Sequence, residues 1–339
     1  MQQYKHRVSM ADVAHAAGVS PATVSRVLND SDTVSSKTKV AVLNAADALG
    51  YVRNLGAVSL ASSQTMTIGL LVRDLDNYFY GAVASCVRNE SAKAGFDLLI
   101  VSCADNIDSQ MHAVRCLLGH NVGGIIVSSG RVAASVVEYS AKFVPTVALA
   151  SGLDLQTVNS VRIDPKTESN LAKTVAGYGH RCVAVTASSS PLTSSLHART
   201  ANFLTQLVIS GVRTYIMSLK SDTGEPLHKA VDEAMEDGAT AIMASSDAIA
   251  LSILEYLDEL GIDCPNEISV TGFDGMGPYG SPLLGITTVK QPVAELAKAA
   301  VDMVSARIAD ETIQPGQMLV KGEFVPGRTL GPANNSKNK

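Results

Sequence analysis

The chain has 339 residues, of which 46% are hydrophobic and 17% charged, with no long polar or low-complexity tract. It is too long for one ordinary core and apolar enough to fold throughout, which excludes a disordered protein and predicts one small and one large unit. The net charge of -5 excludes a uniformly basic nucleic-acid binder, yet the first 62 residues hold six Lys and Arg against four Asp and leave -7 for the rest, so only the head suits a phosphate surface.

The opening stretch, MQQYKHRVSMADV, lacks the apolar core of a signal peptide, and no run of about 18 uncharged apolar residues follows. A cytoplasmic protein without membrane contact is expected. Five cysteines, Cys86, Cys103, Cys116, Cys182 and Cys264, include no C-x-x-C pair and fit reduced thiols better than a disulfide framework.

Ser9 is placed to cap a first helix from Met10 to Ala17, with Met10, Val13, Ala14 and Ala17 as its apolar stripe and Gly18 as its stop. Ser20 caps a second, with Pro21 at the first helical position and Val24, Val27 and Leu28 on the buried face. A third begins at Ser35 or Ser36, runs through Val40, Leu43, Ala46 and Ala48 to Leu49, and stops at Gly50. Three short helices around a tight glycine turn form a helix-turn-helix head. In such heads the second helix enters the major groove, which turns Pro21, Ala22 and Arg26 to base edges and Ser20, Thr23 and Ser25 to phosphates. Arg26 is suited to a bidentate pair with guanine. Spacing alone leaves open an unrelated three-helix core in which Arg26 is merely solvated.

The segment Ser9-Met-Ala-Asp-Val-Ala-His-Ala-Ala-Gly-Val-Ser-Pro-Ala-Thr-Val-Ser-Arg-Val-Leu-Asn29, followed by Val34-Ser-Ser-Lys-Thr38 and Ala48-Leu-Gly-Tyr51, closely resembles the lactose/galactose repressor family. That resemblance implies a DNA-binding domain over 7–53 and a hinge helix over 54–62, in which Leu60 matches the leucine that wedges into the minor groove and kinks the duplex. It also adds Asn29 and Asn54 to the DNA-facing set. Leu60 as ordinary core is the alternative. The hinge departs from the family pattern at Arg53, where proline is usual, and at Gly56, which costs a helix about 1 kcal/mol relative to alanine.

From Met66 onward, apolar runs at 67–72, 97–101, 124–127, 146–149, 182–185, 241–244 and 268–272 alternate with helical patterns from Tyr80 to Ala94, Gln110 to His120 and Ile249 to Leu260. This is the rhythm of an α/β, doubly wound parallel fold, and two such sheets fit the length. Such sheets bind ligands beyond the carboxyl ends of their strands, so two lobes place a small molecule between them. The motifs Asp74-x-x-Asn-x-Phe-Tyr80, Gly179-His-Arg181, Ser246-Asp247, Gly272-Phe-Asp274 and Thr287-Thr-Val-x-Gln-Pro292 extend the resemblance over nearly the whole large domain. They imply a core like that of periplasmic sugar-binding proteins over 66–330. Lobe 1 is expected at approximately 66–160 plus 292–320 and lobe 2 at 161–290 plus 321–330, with a disordered tail at 331–339.

By the same resemblance the cleft takes a carbohydrate or a nucleoside-class effector. Phe79 or Tyr80 would stack on it, and Arg199, Asp247 and Asp274 would hold its polar groups through charge-assisted hydrogen bonds. Helix capping by either aspartate, and a plain core role for either aromatic, remain open readings. Asn202 stands where relatives carry the glycine of Arg-x-x-Gly-aromatic, Tyr78 where they carry proline, and Pro165 where they carry asparagine, so no particular sugar follows.

Gly275-Met-Gly-Pro-Tyr-Gly280 spells G-x-G-x-x-G, but Pro278 and Pro282 disfavour the helix a pyrophosphate needs. His112, Cys116 and His120 share a helical face, yet its ends stand about 12 Å apart, too far for one zinc ion. No metal, cofactor or nucleophile motif is expected. The reading is a transcription regulator, most simply a repressor, that binds a palindromic double-stranded operator as a homodimer. A pure solute-binding protein leaves the head without purpose, and an enzyme would need turnover from Asp247 or Asp274.

Overall fold

The computed structural model describes residues 8–28, 33–52, 65–128, 130–153, 155–220 and 224–334. The chain divides into two compact units, Met1–Gln64 and Thr65–Lys339.

The first unit is built from α1 (Met10–Ala17), α2 (Pro21–Leu28) and α3 (Ser36–Leu49). Local capping explains the starts of all three helices and the ends of α1 and α3. Ser9 and Asp12 form a reciprocal capping box, with Ser9 N donating to Asp12 Oδ2 at 2.8 Å and Asp12 N donating to Ser9 Oγ at 3.3 Å. Ser20 Oγ accepts from Thr23 N at 3.1 Å, and Ser35 Oγ from Thr38 N at 3.3 Å. Gly18 and Gly50, both at φ 66°, close α1 and α3 in the left-handed region. The core is small: Val13, Ala14, Val24, Val27, Val42 and Ala46. The expected face of α3 is therefore corrected. Val42 and Ala46 point inward, while Val40 is 58% and Leu43 49% exposed, because a three-helix core this size has room for about one α3 side chain per turn.

The second unit holds two parallel sheets. The first has six strands: β1 (Thr67–Val72), β2 (Asp97–Ser102), β3 (Gly124–Ser128), β4 (Thr146–Leu149), β5 (Asn159–Ile163) and β11 (Gln317–Val320), in the order β11-β5-β4-β3-β1-β2. The second contains β6 (Cys182–Ser188), β7 (Arg213–Leu219), β8 (Ala241–Met243) and β9 (Ser269–Thr271), in the order β7-β6-β8-β9. Helices α4 (Tyr78–Lys93), α5 (Ile107–Gly119), α6 (Ala134–Ala141) and α11 (Val293–Ala309) serve the first lobe. Helices α7 (Pro165–Gly177), α8 (Ser194–Ile209), α9 (Glu225–Glu236) and α10 (Asp247–Glu259) serve the second. A short antiparallel ribbon joins β10 (Thr288–Lys290) to β12 (Glu323–Val325).

The chain passes between lobes three times, after β5, after β10 and after β11. Val161, Arg162 and Ile163 pair with Met318, Leu319 and Val320, so the first crossing falls after Ile163 rather than at the expected 160. Residues 331–334, read from sequence as part of a disordered tail, are anchored. Gly331 N donates to Ser269 Oγ at 3.1 Å, Gly331 O lies 3.1 Å from His180 Nε2, and Ala333 N donates to Tyr178 O at 2.9 Å. The Gly275–Gly280 stretch forms a 3-10 turn over Gly277–Gly280 in place of a nucleotide-binding helix. Among the described residues no helix is long and apolar enough to cross a membrane, and no group of three His, Cys, Asp or Glu is placed to hold a metal ion.

Candidate functional site

In the first unit, α2 turns Val24 and Val27 into the core and leaves its opposite face clear. Pro21, Ala22 and Arg26 are exposed, Thr23 and Ser25 half-buried, and Ser20 exposed at the cap, whereas Val24 and Val27 face inward. One face of a single helix thus carries every DNA-facing residue expected on it. Asn29, Asn54 and Leu60, with the rest of the expected hinge, lie outside the described residues.

In the second unit a cavity opens between the lobes at the carboxyl ends of both parallel sheets. Arg73, Asn77, Phe79, Tyr80, Arg131 and Ala150 line it from the first lobe. Ser195, Leu196, Arg199, Ser246 and Asp274 line it from the second, and Gln291 from the second crossing.

Arg199 is the electrostatic centre. It projects from α8, is 7% exposed, stacks on the Phe273 ring at 3.7 Å, and donates to the Ser245 carbonyl. Its guanidinium lies 3.8 Å from Asp274 Oδ1 and 3.7 Å from Glu168 Oε1. Asp274 also accepts from Gln291 Nε2 at 2.6 Å and sits at φ 120°, a conformation costing about 1–3 kcal/mol that clusters at functional sites. The strain is held by two backbone bonds, Asp274 N to Val289 O at 2.9 Å and Gln291 N to Asp274 O at 3.0 Å.

Of the expected effector residues, Phe79, Tyr80, Arg199 and Asp274 meet at this cavity, and Asp247 does not. Asp247 is 1% exposed and its two oxygens accept from Thr288 Oγ1 and Gly275 N, both at 2.5 Å, which ties the loop after β9 to β10. Phe79, 7% exposed, belongs mostly to the core, so Tyr80, edge-on to it at 5.3 Å, offers the aromatic surface. Arg73, Arg131, Ser195 and Gln291 were not anticipated. Arg73 directly follows β1 and Arg131 lies three positions past the end of β3, both where the strand-end rule points.

The lobes also touch at the rim. Gly130 O accepts from Ser195 N at 3.4 Å and Ser194 Oγ at 3.3 Å. A side chain at Gly130 would place its Cβ 1.7 Å from Ser195 Oγ, and one at Gly152 would meet Ser194 O at 2.3 Å. Gly130→Val is therefore expected to hold the lobes apart, which small-angle scattering reads as a larger radius of gyration than wild type. Identical curves would mean that this contact does not set lobe spacing.

Burial pushes the Asp274 carboxyl up to about 7, against the opposing Arg199 charge, and raises Glu168 and Asp247 for the same reason. Between the ordinary carboxylate range and about 7, the folded state then binds protons more tightly than the unfolded one. The stability that Asp274 contributes is present at low pH and lost as pH rises through about 7, and Glu168 and Asp247 act in the same sense. Buried His180, lowered by desolvation, acts in the opposite sense, its contribution being lost as pH falls below the ordinary histidine value. Asp274→Asn is expected to flatten the fall in Tm between pH 5 and 8; parallel wild-type and variant curves would contradict this.

The geometry has close counterparts. Residues 9–54 match the model for bacterial regulatory proteins of the lacI family, and residues 172–330 match a periplasmic binding protein-like domain. The chain is 29% identical over 314 residues to catabolite control protein A of Priestia megaterium, covering 90% of this chain and 94% of that protein. It is 30% identical over 326 residues to the HTH-type transcriptional regulator GalR of Salmonella typhimurium (strain SL1344), covering 88% of this chain and 89% of that one. The chain belongs to the lacI family. As a lacI-family protein it is a DNA-binding transcription regulator and not an enzyme. A crystal structure of the lac repressor dimer bound to operator and the anti-inducer ONPF superposes with a TM-score of 0.84 at 24% identity, covering 96% of this chain and all of that one. The lacI-family fold thus extends over both units.

Proposed function

We propose that the chain is a repressor that binds a palindromic operator in the cytoplasm as a homodimer and is modulated by a small polar molecule held between its lobes. The reading rests on one observation above all: Arg26, Pro21 and Ala22 stand exposed on a helix whose other face is consumed by the core. Bases are read from such a face in the major groove, with Ser20, Thr23 and Ser25 placed for phosphates. Asn29, Asn54 and the Leu60 wedge complete the expected DNA contacts. Two half-sites require two heads, and Leu75, Tyr78 and Leu283, at 51%, 48% and 80% exposure, supply apolar surface for self-association.

The cavity supports the effector. Tyr80 provides an aromatic face, and Arg199, Asp274 and Gln291 provide hydrogen-bonding groups for hydroxyls. Related structures hold sugars, among them a CelR–cellobiose complex, TM-score 0.67 at 23% identity, and an Enterococcus faecium regulator with bound ribose, TM-score 0.67 at 20% identity. Selection from randomised duplexes with purified protein tests the DNA reading. Enrichment of a dyad-symmetric sequence is expected, and recovery of unenriched DNA at moderate salt would sink it.

A further inference from the structure

Resting on the reading that the interlobe cavity holds the effector, we propose that this effector is a glycoside of two units, a ring against Tyr80 and a polyhydroxylated sugar that passes Arg199 into a second chamber. That chamber adjoins the first, for Ala150, Ser195, Arg199 and Gln291 line both. Ser151, Gly152, Arg162, Glu168 and Asn202 line the second and not the first. It too lies between the lobes, since Ser151 and Gly152 come just after β4 while Glu168 and Asn202 stand on α7 and α8.

The Arg199 guanidinium divides its edges between the chambers. Its Nη1 lies 3.8 Å from Asp274 Oδ1, and Asp274 lines only the first. Its Nε lies 3.7 Å from Glu168 Oε1, and Glu168 lines only the second. Both separations exceed hydrogen-bond length. Nε is buried and has no hydrogen-bond partner among the described residues, on a side chain of a residue only 7% exposed. A donor beside an acceptor it does not reach calls for a group that accepts and donates at once. A hydroxyl does both, its oxygen accepting from Nε while its hydrogen goes to the Glu168 carboxylate. An anion placed there would meet Glu168, and a cation would meet Arg199 and Arg162.

Asn202 fixes the carboxylate for this task. Its Nδ2 donates to Glu168 Oε2 across the seam between α7 and α8, which leaves Oε1 turned toward Arg199. Relatives carry glycine at this position, with no side chain to make that bond. No described aromatic residue lines the second chamber, whereas Tyr80 supplies a ring to the first. Stacking therefore belongs to one unit of the ligand and hydroxyl recognition to the other. Disaccharides and nucleosides share this plan and differ in what faces Tyr80.

Calorimetric titration of the full chain with matched compounds tests the inference. Glucose, galactose, ribose and adenine are the single units; cellobiose, maltose, lactose and adenosine are the two-unit molecules built from them. A two-unit molecule is expected to bind about tenfold tighter than either of its parts, the gain that one hydrogen bond to a charged group supplies. An advantage confined to disaccharides puts a sugar on Tyr80, and one confined to adenosine puts a base there. Glu168→Gln keeps the size of the side chain and loses its charge, and Asn202→Phe fills the chamber. Each is expected to cut the two-unit advantage to about threefold or less, with melting curves establishing that the variant folds. Should Asn202→Phe fail to fold, Glu168→Gln carries the test alone. Equal affinity for one unit and two, or an advantage that the folded variants retain, overturns the proposal and leaves the cleft reading intact. Absence of binding by every compound counts against the cleft reading itself, and this inference falls with it.

Discussion

Arg26→Ala is expected to weaken operator binding at least tenfold and to flatten preference at one base pair in each half-site. The neighbouring exposed side chains on α2, Pro21 and Ala22, offer no hydrogen bonds to a base edge, so this face depends on a single guanidinium for direct readout. A bidentate arginine–guanine pair is worth about 1–3 kcal/mol of discrimination, and a dimer forfeits it twice. Because Arg26 is exposed and makes no core contact, the variant should melt like wild type. Competition binding with operators altered one position at a time provides the measurement. Uniform weakening across all sequences, with a shallower salt dependence, would instead make Arg26 a phosphate contact.

The second large effect concerns the body. Arg199→Ala leaves buried Glu168 and half-buried Asp274 without the cation they share, and breaking a buried ionic network by removing one partner costs about 3–5 kcal/mol. Both carboxyls are already raised above their ordinary range, and without the guanidinium they move further up. Protonation then relieves the loss at low pH, so the penalty should be small at pH 5 and full at pH 8. Adding Glu168→Gln and Asp274→Asn to an Arg199→Met background should recover most of the stability, since a neutral set has no charge left to bury. Urea titration at the two pH values decides the matter; a penalty independent of pH would assign the loss to the Arg199–Phe273 stacking instead.

What could be read without coordinates follows the range over which each signal acts. Ser9, Gly18, Ser35 and Gly50 mark helix ends because capping is settled within four residues. The inward face of α3 is set by what α1 and α2 leave room for, and choosing Val42 over Val40 and Leu43 required their positions. Strands β1, β3 and β4 are buried almost throughout and stand out as apolar runs. Strand β7 lies at a sheet edge, is exposed at Arg213, Ile216 and Ser218, and carries no such run.

The cavity divides in the same way. Tyr80, Arg199 and Asp274 were legible from family motifs, and each reaches the cleft. Asp247 belongs to an equally familiar motif, but its orientation is decided by Thr288, 41 positions later, which turns the carboxylate into a structural tie. Arg73 and Arg131 belong to no motif and became visible only when β1 and β3 were seen to end side by side.

The Gly130 contact with Ser194 and Ser195 has a kinetic consequence. A molecule that must part the lobes to enter or leave has to break the hydrogen bonds at that rim. Its observed association rate should therefore rise with concentration and then level off at the spontaneous opening rate, rather than climb linearly toward the diffusion limit. Occupancy would outlast brief dips in supply, because release waits on the same opening. The regulator would respond to sustained changes in its effector and filter out fast fluctuations.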